Sequence, residues 1–146
     1  VQHSADRTHT TAQLLGAEGL NRYLKDGEAF EREAALMSLG TAFVSTGNLA
    51  VVKKILPYVN DSDDDVKRTA VIAIGLIGYD DEDIIKLCLV PFAENHNQHV
   101  RAAVALILGF FSCGKGNQAV CSLLEAMMYD TEDLVRQSAC MGVGFA

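Results

Sequence analysis

The side chains best able to do chemistry fall into four short constellations. Gly109-Phe110-Phe111-Ser112-Cys113-Gly114-Lys115 has the spacing of a loop that cradles phosphates with backbone N–H groups and a lysine. Gly116 follows where a Ser or Thr hydroxyl must hold Mg²⁺, and the residues before the loop repeat with a helical rather than a strand period, so they read as a helix end and a glycine turn. Asp61-Ser62-Asp63-Asp64-Asp65 supplies the first carboxylates of a calcium loop, but Val66 stands where the turn needs glycine and Ile72 where the bidentate Glu belongs. His96 and His99, three residues apart, could share a zinc ion only with further ligands, and no cysteine lies near them in sequence. The cysteines Cys88, Cys113, Cys121 and Cys140 form no CxxC pair and sit in or beside apolar helical runs, the setting of buried, reduced, inert thiols. No residue is therefore assigned a catalytic, cofactor-binding or metal-binding role; no cofactor is expected, and the chain reads as a non-enzyme.

The elements that carry these residues are periodic. Glu31–Gly40, Val66–Gly75, Val100–Gly109 and Val135–Gly144 fall into register, and their glycines Gly40, Gly75, Gly109 and Gly144 are separated by 35, 34 and 35 residues. Three of the four blocks open with Val and a base, Lys67, Arg101 or Arg136; Glu31 replaces that opening in the first. Pro57 and Pro91 lie 34 residues apart, with Leu24, Val59 and Ala93 at matching places. A period near 35 means two-helix units, each too short to bury its own apolar face and so stacked on its neighbours.

The pattern predicts a partial unit at 11–28, units at 29–61, 62–95 and 96–130, and a partial unit at 131–146. Residues 1–10 are polar and expected to fray. First helices start after capping turns, most clearly Ser62-Asp63-Asp64-Asp65 and Thr131-Glu132-Asp133. Second helices are expected over Leu49–Val59, Glu82–Ala93 and Gln118–Tyr129, with Met127, Met128 and Tyr129 reading as core. A helical glycine costs about 1 kcal/mol relative to alanine, so a glycine in every first helix implies that neighbouring backbones come close there. The chain stops inside a first helix, without polar capping repeats, and reads as an arc cut from something longer whose open ends invite self-association.

Composition agrees with a folded, soluble chain: 146 residues, 49% hydrophobic and 21% charged. Twelve Lys and Arg against 19 Asp and Glu give a net charge of −7, which repels phosphate backbones and anionic lipid, so neither nucleic acid nor a membrane is an expected partner. The longest uncharged apolar run, Ala102–Phe111, is too short to span a bilayer, and the amino terminus has no signal-peptide core. Two acidic turns, Asp61, Asp63, Asp64 and Asp65 at one end of a first helix and Asp80, Asp81, Glu82 and Asp83 at the other, are candidate partner-facing residues on opposite edges of the stack.

The 35-residue unit with glycine and alanine in its first helix, the turn Val59-Asn60-Asp61-Ser62-Asp63-Asp64-Asp65-Val66-Lys67-Arg68, and the strings His96-Asn97-Gln98-His99-Val100-Arg101, Gly109–Gly116 and Asp133-Leu134-Val135-Arg136-Gln137 resemble the proteasome/cyclosome repeat. The resemblance runs from about Glu31 to the end; nothing before Glu28 shares it. Members of that family include scaffold subunits of the proteasome regulatory particle and the large cyclosome subunit. The resemblance implies an all-α superhelix, an arc of a toroid, without catalytic residues. It further implies a cytoplasmic and nuclear scaffold in ubiquitin-dependent protein degradation, with other proteasome subunits and ubiquitin-like domains as candidate partners. A receptor module whose acidic edge takes ubiquitin-like or basic proteins is the alternative.

Overall fold

The structure is a computed structural model that describes residues 18–79, 81–115 and 117–146. The expected fraying of residues 1–10, the start of the first helix over 11–17, and the positions of Asp80 and Gly116 lie outside the described residues. Among the described residues eight α-helices follow one another and no strand occurs. They are α1 (Glu18–Asp26), α2 (Ala29–Ala42), α3 (Leu49–Ile55), α4 (Asp64–Ile77), α5 (Glu82–Ile84), α6 (Gln98–Phe111), α7 (Gln118–Met127) and α8 (Asp133–Phe145). The architecture is an all-α solenoid. First helices stack in a row, α2 on α4, α4 on α6 and α6 on α8, while the shorter second elements form an outer row, each packed on the first helix that follows it.

The starts of these helices are written in the sequence. The side chains of Asn48, Asp63, Asp81, Asn97 and Asn117 each accept two backbone N–H bonds from the first turn they precede, satisfying donors that a helix start leaves open. Glu28 and Glu31 close a capping box on α2. The expected Thr131-Glu132-Asp133 cap works differently. Glu132 occupies the cap position without a side-chain bond, and Asp130 instead accepts the Glu132 N–H at 3.0 Å.

Two of the three second helices are less regular than the pattern suggests. The α-helix over 49–59 ends at Ile55 and tightens into a 3₁₀ turn, Leu56–Asn60, and the expected helix over 82–93 keeps only Glu82–Ile84 as α before a π segment, Ile85–Leu89, and a 3₁₀ turn, Val90–Glu94. Proline explains both departures. Pro57 and Pro91 sit at the start of the 3₁₀ turns; neither can donate an amide hydrogen, and each ring would strike the carbonyl four residues back in a continued α-helix. The third, without proline, stays helical over Gln118–Met127.

The core runs between the rows through Leu36, Leu39, Val52, Ile55, Val66, Ile74, Leu89, Val104, Leu108 and Leu124, all essentially inaccessible to water. Met127 is buried and Met128 packs against the core, as expected, but Tyr129 is exposed. The close approach of first helices is equally direct. A Cβ added to Gly40 would lie 2.8 Å from Ala73 Cα; one on Gly75 would strike Ile107; one on Gly109 would fall inside contact distance of the Gly142 backbone. Each of these three glycines faces the first helix that follows it; α8 is the last first helix of this chain, and a Cβ on Gly144 would meet nothing within 4 Å. Gly142, two residues earlier and on the opposite face of α8, meets the preceding first helix; its added Cβ would lie 2.7 Å from the Ala105 carbonyl oxygen.

Candidate functional site

Charged side chains gather along the edge where each second element gives way to the next first helix. Arg32, near the start of α2, donates from Nε and Nη2 to Asp61 Oδ2 and Oδ1 at 3.0 and 2.8 Å, and from Nη1 to the Gly27 carbonyl at 2.7 Å. Arg101 of α6 repeats the arrangement: two bonds of 2.8 Å to Asp130, and Nη1 bonds to the carbonyls of Asn95 and His96 at 2.8 and 3.2 Å. A planar guanidinium matches a carboxylate in this two-pronged way, and its remaining nitrogen takes up carbonyls left open where the preceding element ends. All four side chains are less than one-fifth exposed.

The Arg101 hydrogen bonds hold the Asp130 carboxyl below the usual carboxylate range against the opposing effect of burial. Burial is the largest influence on Asp61 and pushes it up, yet Arg32 and the Asp63 N–H together bring it below the usual range. Arg136 takes the carbonyls of Asp130 and Thr131 at 2.7 and 2.9 Å and pairs with Asp133. The equivalent base on α4 is Lys67, a point charge that pairs with Asp64 one turn away at 2.7 Å.

The opposite edge, where a first helix turns into a second element, is held by backbone bonds. Ser45 N–H and Gly47 N–H donate to the Leu76 and Ile77 carbonyls at 2.8 and 3.0 Å, so the turn after α2 caps the end of α4. Gly47 is required there twice. Its φ is +61°, and an added Cβ would lie 2.7 Å from Asp81 Oδ2. Between α5 and α7 lies a cleft of about 610 Å³ lined by Ile85, Val90, Phe111, Val120 and Leu123, with Glu82, Lys86 and Lys115 among its polar residues. Glu82 and Lys86 neutralise one another at 2.8 Å, and the Lys115 ammonium sits 5.3 Å from the centre of the Tyr79 ring. The cleft can take apolar side chains; its charges are already engaged within the chain.

Comparison with known proteins gives this architecture its family. A HEAT-repeat family model matches residues 52–144, more than half of the chain. The chain belongs to the HEAT-repeat family. It is also similar to longer proteins: the 26S proteasome regulatory subunit RPN2 of Encephalitozoon cuniculi, 56% identical over 126 residues, which are 86% of this chain and 16% of that protein. The Saccharomyces cerevisiae protein of the same name is 34% identical over 123 residues, 84% of this chain and 13% of the relative. The Arabidopsis thaliana 26S proteasome non-ATPase regulatory subunit 1 homolog A is 33% identical over 130 residues, with 88% and 13% covered. The chain thus spans about one-seventh of the length of these relatives. The resemblance to regulatory subunits of the 26S proteasome accordingly rests on named relatives as well as on the quoted strings.

Within the HEAT-repeat frame, the acidic turn Asp61–Asp65 is largely occupied with its own chain. Asp61 holds Arg32, Asp63 caps α4, Asp64 meets Lys67 and Asn97, and Asp65 pairs with Arg68. In the second acidic turn Asp81 caps α5 and Glu82 pairs with Lys86, while Asp83 is exposed; Asp80 is outside the described residues. The two turns do lie at opposite ends of α4. His96 is exposed, and His99 Nε2 lies 3.5 Å from Asp64 Oδ2. Among the described residues no three His, Cys, Asp or Glu side chains converge as a metal site would require. Gly109 lies inside α6, so the phosphate-loop look-alike occupies a helix and its exit turn.

Two expectations about single residues change. Cys113 and Cys140 are exposed rather than buried; Cys88 and Cys121 are half-buried, and burial pushes the Cys88 thiol up. The exposed pair sits on the turn after α6 and on α8, each close in sequence to buried apolar residues, Phe111 and Ala139. The arginine–aspartate pairs were not foreseen. Their signal was nevertheless in the sequence: an arginine in the first turns of a unit and an aspartate 29 residues on occur twice, as Arg32 with Asp61 and Arg101 with Asp130. Arg32 also shows that the first unit lacks only the valine of the Val-base opening and keeps the base.

Proposed function

We propose that this chain is a non-catalytic scaffold segment of the proteasome regulatory particle, organising subunits and receptors for ubiquitin-dependent protein degradation. The observation that carries the reading is the likeness of 86% of the chain to a proteasome regulatory subunit, in a fold whose helical starts, glycine contacts and charged pairs are all spent on stiffness. Its mechanism is positional. Stacked first helices set the curvature, the units 29–61, 62–95 and 96–130 repeat it, and exposed residues of the outer row and turns meet other subunits. In the longer parent the α8 face bearing Gly144, Met141 and Phe145 receives the next helical pair, extending the stack toward a ring in the cytoplasm and nucleus; left open, it is a surface for self-association.

The test is made in a parent protein of the regulatory particle that carries this segment. Gly109→Leu should prevent incorporation of the subunit, read as loss of the assembled particle on native gels. Normal assembly with an unfolded segment would sink the scaffold reading. The receptor alternative has its own measurement. Titration of a ubiquitin-like domain should leave the amide resonances of the chain unmoved, whereas shifts confined to the Asp81–Asp83 turn would establish a binding surface in place of the scaffold role.

A further inference from the structure

Ties between neighbouring elements of the outer row are present at one joint and replaced, position by position, at the next. Between α1 and the Leu49–Asn60 element, Arg32 joins Gly27 to Asp61, the Tyr58 hydroxyl donates to the Leu24 carbonyl at 3.0 Å, and Lys54 Nζ donates to Asn21 Oδ1. One unit later, 34 or 35 residues along, Lys67 stands for Arg32, Asn95 for Asp61, Phe92 for Tyr58 and Cys88 for Lys54. Phe92 has no hydroxyl to donate, Asn95 has no charge, and Lys67 turns to Asp64 on its own helix; Asn97 Nδ2 donates to Asp64 Oδ1 at 2.9 Å, but that bond ties the starts of two first helices, not one outer element to the next. At the third joint the Arg101–Asp130 pair returns and again takes up the carbonyl of Asn95.

A second observation falls on the same place. The element Glu82–Glu94 passes through α, π and 3₁₀ conformations in thirteen residues, so its hydrogen-bond ladder changes register twice. It buries only Ile84, Leu89 and Ala93, and Leu87 is three-quarters exposed. Few buried apolar contacts and an interrupted ladder are the marks of a segment that opens at low cost. Beneath it the first helices remain in contact through Gly40 with Ala73 and Gly75 with Ile107.

We propose that the joint between Leu49–Asn60 and Glu82–Glu94 is the hinge of this solenoid segment, where the outer row parts while the inner row stays stacked. Lys67 and Asn95 are the residues that set it. A scaffold with one yielding joint concentrates bending there, so that the units on either side move as stiff bodies.

Hydrogen–deuterium exchange on the 146-residue chain tests this, with two double variants that exchange the joints' chemistry. In the unaltered chain, amides of Ile85–Glu94 should exchange about tenfold faster than those of Val51–Asn60. Lys67→Arg with Asn95→Asp should recreate the two-pronged pair and slow Ile85–Glu94 about tenfold, in keeping with the strength of hydrogen bonds between charged groups. Arg32→Lys with Asp61→Asn should quicken Val51–Asn60 by a similar factor. Equal protection of the two elements in the unaltered chain overturns the proposal. So does a Lys67→Arg, Asn95→Asp variant that leaves exchange unchanged or loses its fold, because an added tie must stabilise the joint.

Discussion

The inner and outer rows of this molecule are built on different principles. First helices are alike in length and register, thirteen or fourteen residues each, and their glycines meet Ala73, Ile107 and Gly142 at distances that leave no room for a methyl group. Second elements differ in length and even in helix type, and at two of their joints a polar edge is tied by an arginine–aspartate pair. Backbone contact tolerates no variation, whereas a side-chain tie can be lost at one joint without disturbing the others. The inner row therefore sets the shape, and the outer row sets how stiffly it is held.

The largest expected effect breaks the inner row. Gly109→Leu should destabilise the chain by about 3 kcal/mol, because a Cβ there meets the Gly142 backbone, which cannot rotate out of the way as a side chain can. Gly144→Leu is the matched control. It is in register with Gly109 but has nothing within 4 Å, so the same substitution should be neutral or should add about 0.5 kcal/mol through helix propensity. Chemical denaturation of both variants measures the difference; equal losses would show that register alone, and not contact, governs these glycines.

Next comes the outer row. Arg101→Ala leaves Asp130 largely buried without its partner and strips the Asn95 and His96 carbonyls of a donor, a loss of about 2–3 kcal/mol. Lys67→Ala removes only an ion pair whose acidic member is half exposed, and the melting temperature should stay within about 2 °C. A large effect at Lys67 would erase the distinction between tied and untied joints.

Acid sharpens the same contrast. The Asp130 carboxyl is lowered by its bonds to Arg101, so the folded chain takes up this proton less readily than the unfolded chain does. The stabilisation is complete above the unfolded carboxylate value of about 3.9 and is lost as pH falls through the lower native value. The stability gap between the unaltered chain and Arg101→Ala should therefore be constant from pH 7 to about 5 and shrink toward pH 2. A gap that widened in acid would mean that the pair is not what Arg101 contributes.

The inner row was legible in the sequence because its constraint is periodic: glycine and alanine at a fixed place in successive units point to a repeated contact, and Gly40, Gly75 and Gly109 each make one with the first helix that follows. The cap at Asp63 was legible too, as a short polar residue immediately before an apolar helical pattern. What lies between Leu49 and Glu94 was harder. Pro57 and Pro91 announce an irregularity, yet whether the helix before them tightens or widens depends on packing that only the fold supplies. At the acidic turn Asp61–Asp65 the pairing of Asp61 with Arg32 was hidden, since a carboxylate looks the same in sequence whether solvent or an arginine 29 residues away is its partner. Cys113 and Cys140 misled, as apolar neighbours in sequence do not place a thiol in the core.

The smallest of these effects isolates a single tie of the outer row. Tyr58 lies in the 3₁₀ turn after α3 and donates its hydroxyl to the Leu24 carbonyl at the other side of the joint; burial and nearby Asp61 raise its phenol, so it remains a donor throughout the neutral range. Tyr58→Phe keeps the ring and deletes only the bond, which should cost about 1 kcal/mol. Phe92→Tyr, the reciprocal change, places a hydroxyl at the equivalent position of the untied joint, 34 residues on, where the Val59 carbonyl corresponds to that of Leu24. If the two joints share their backbone geometry and differ only in side chains, Phe92→Tyr should recover much of what Tyr58→Phe loses. If it recovers nothing, the backbones have already diverged, and the π segment rather than the missing ties is what separates one joint from the other.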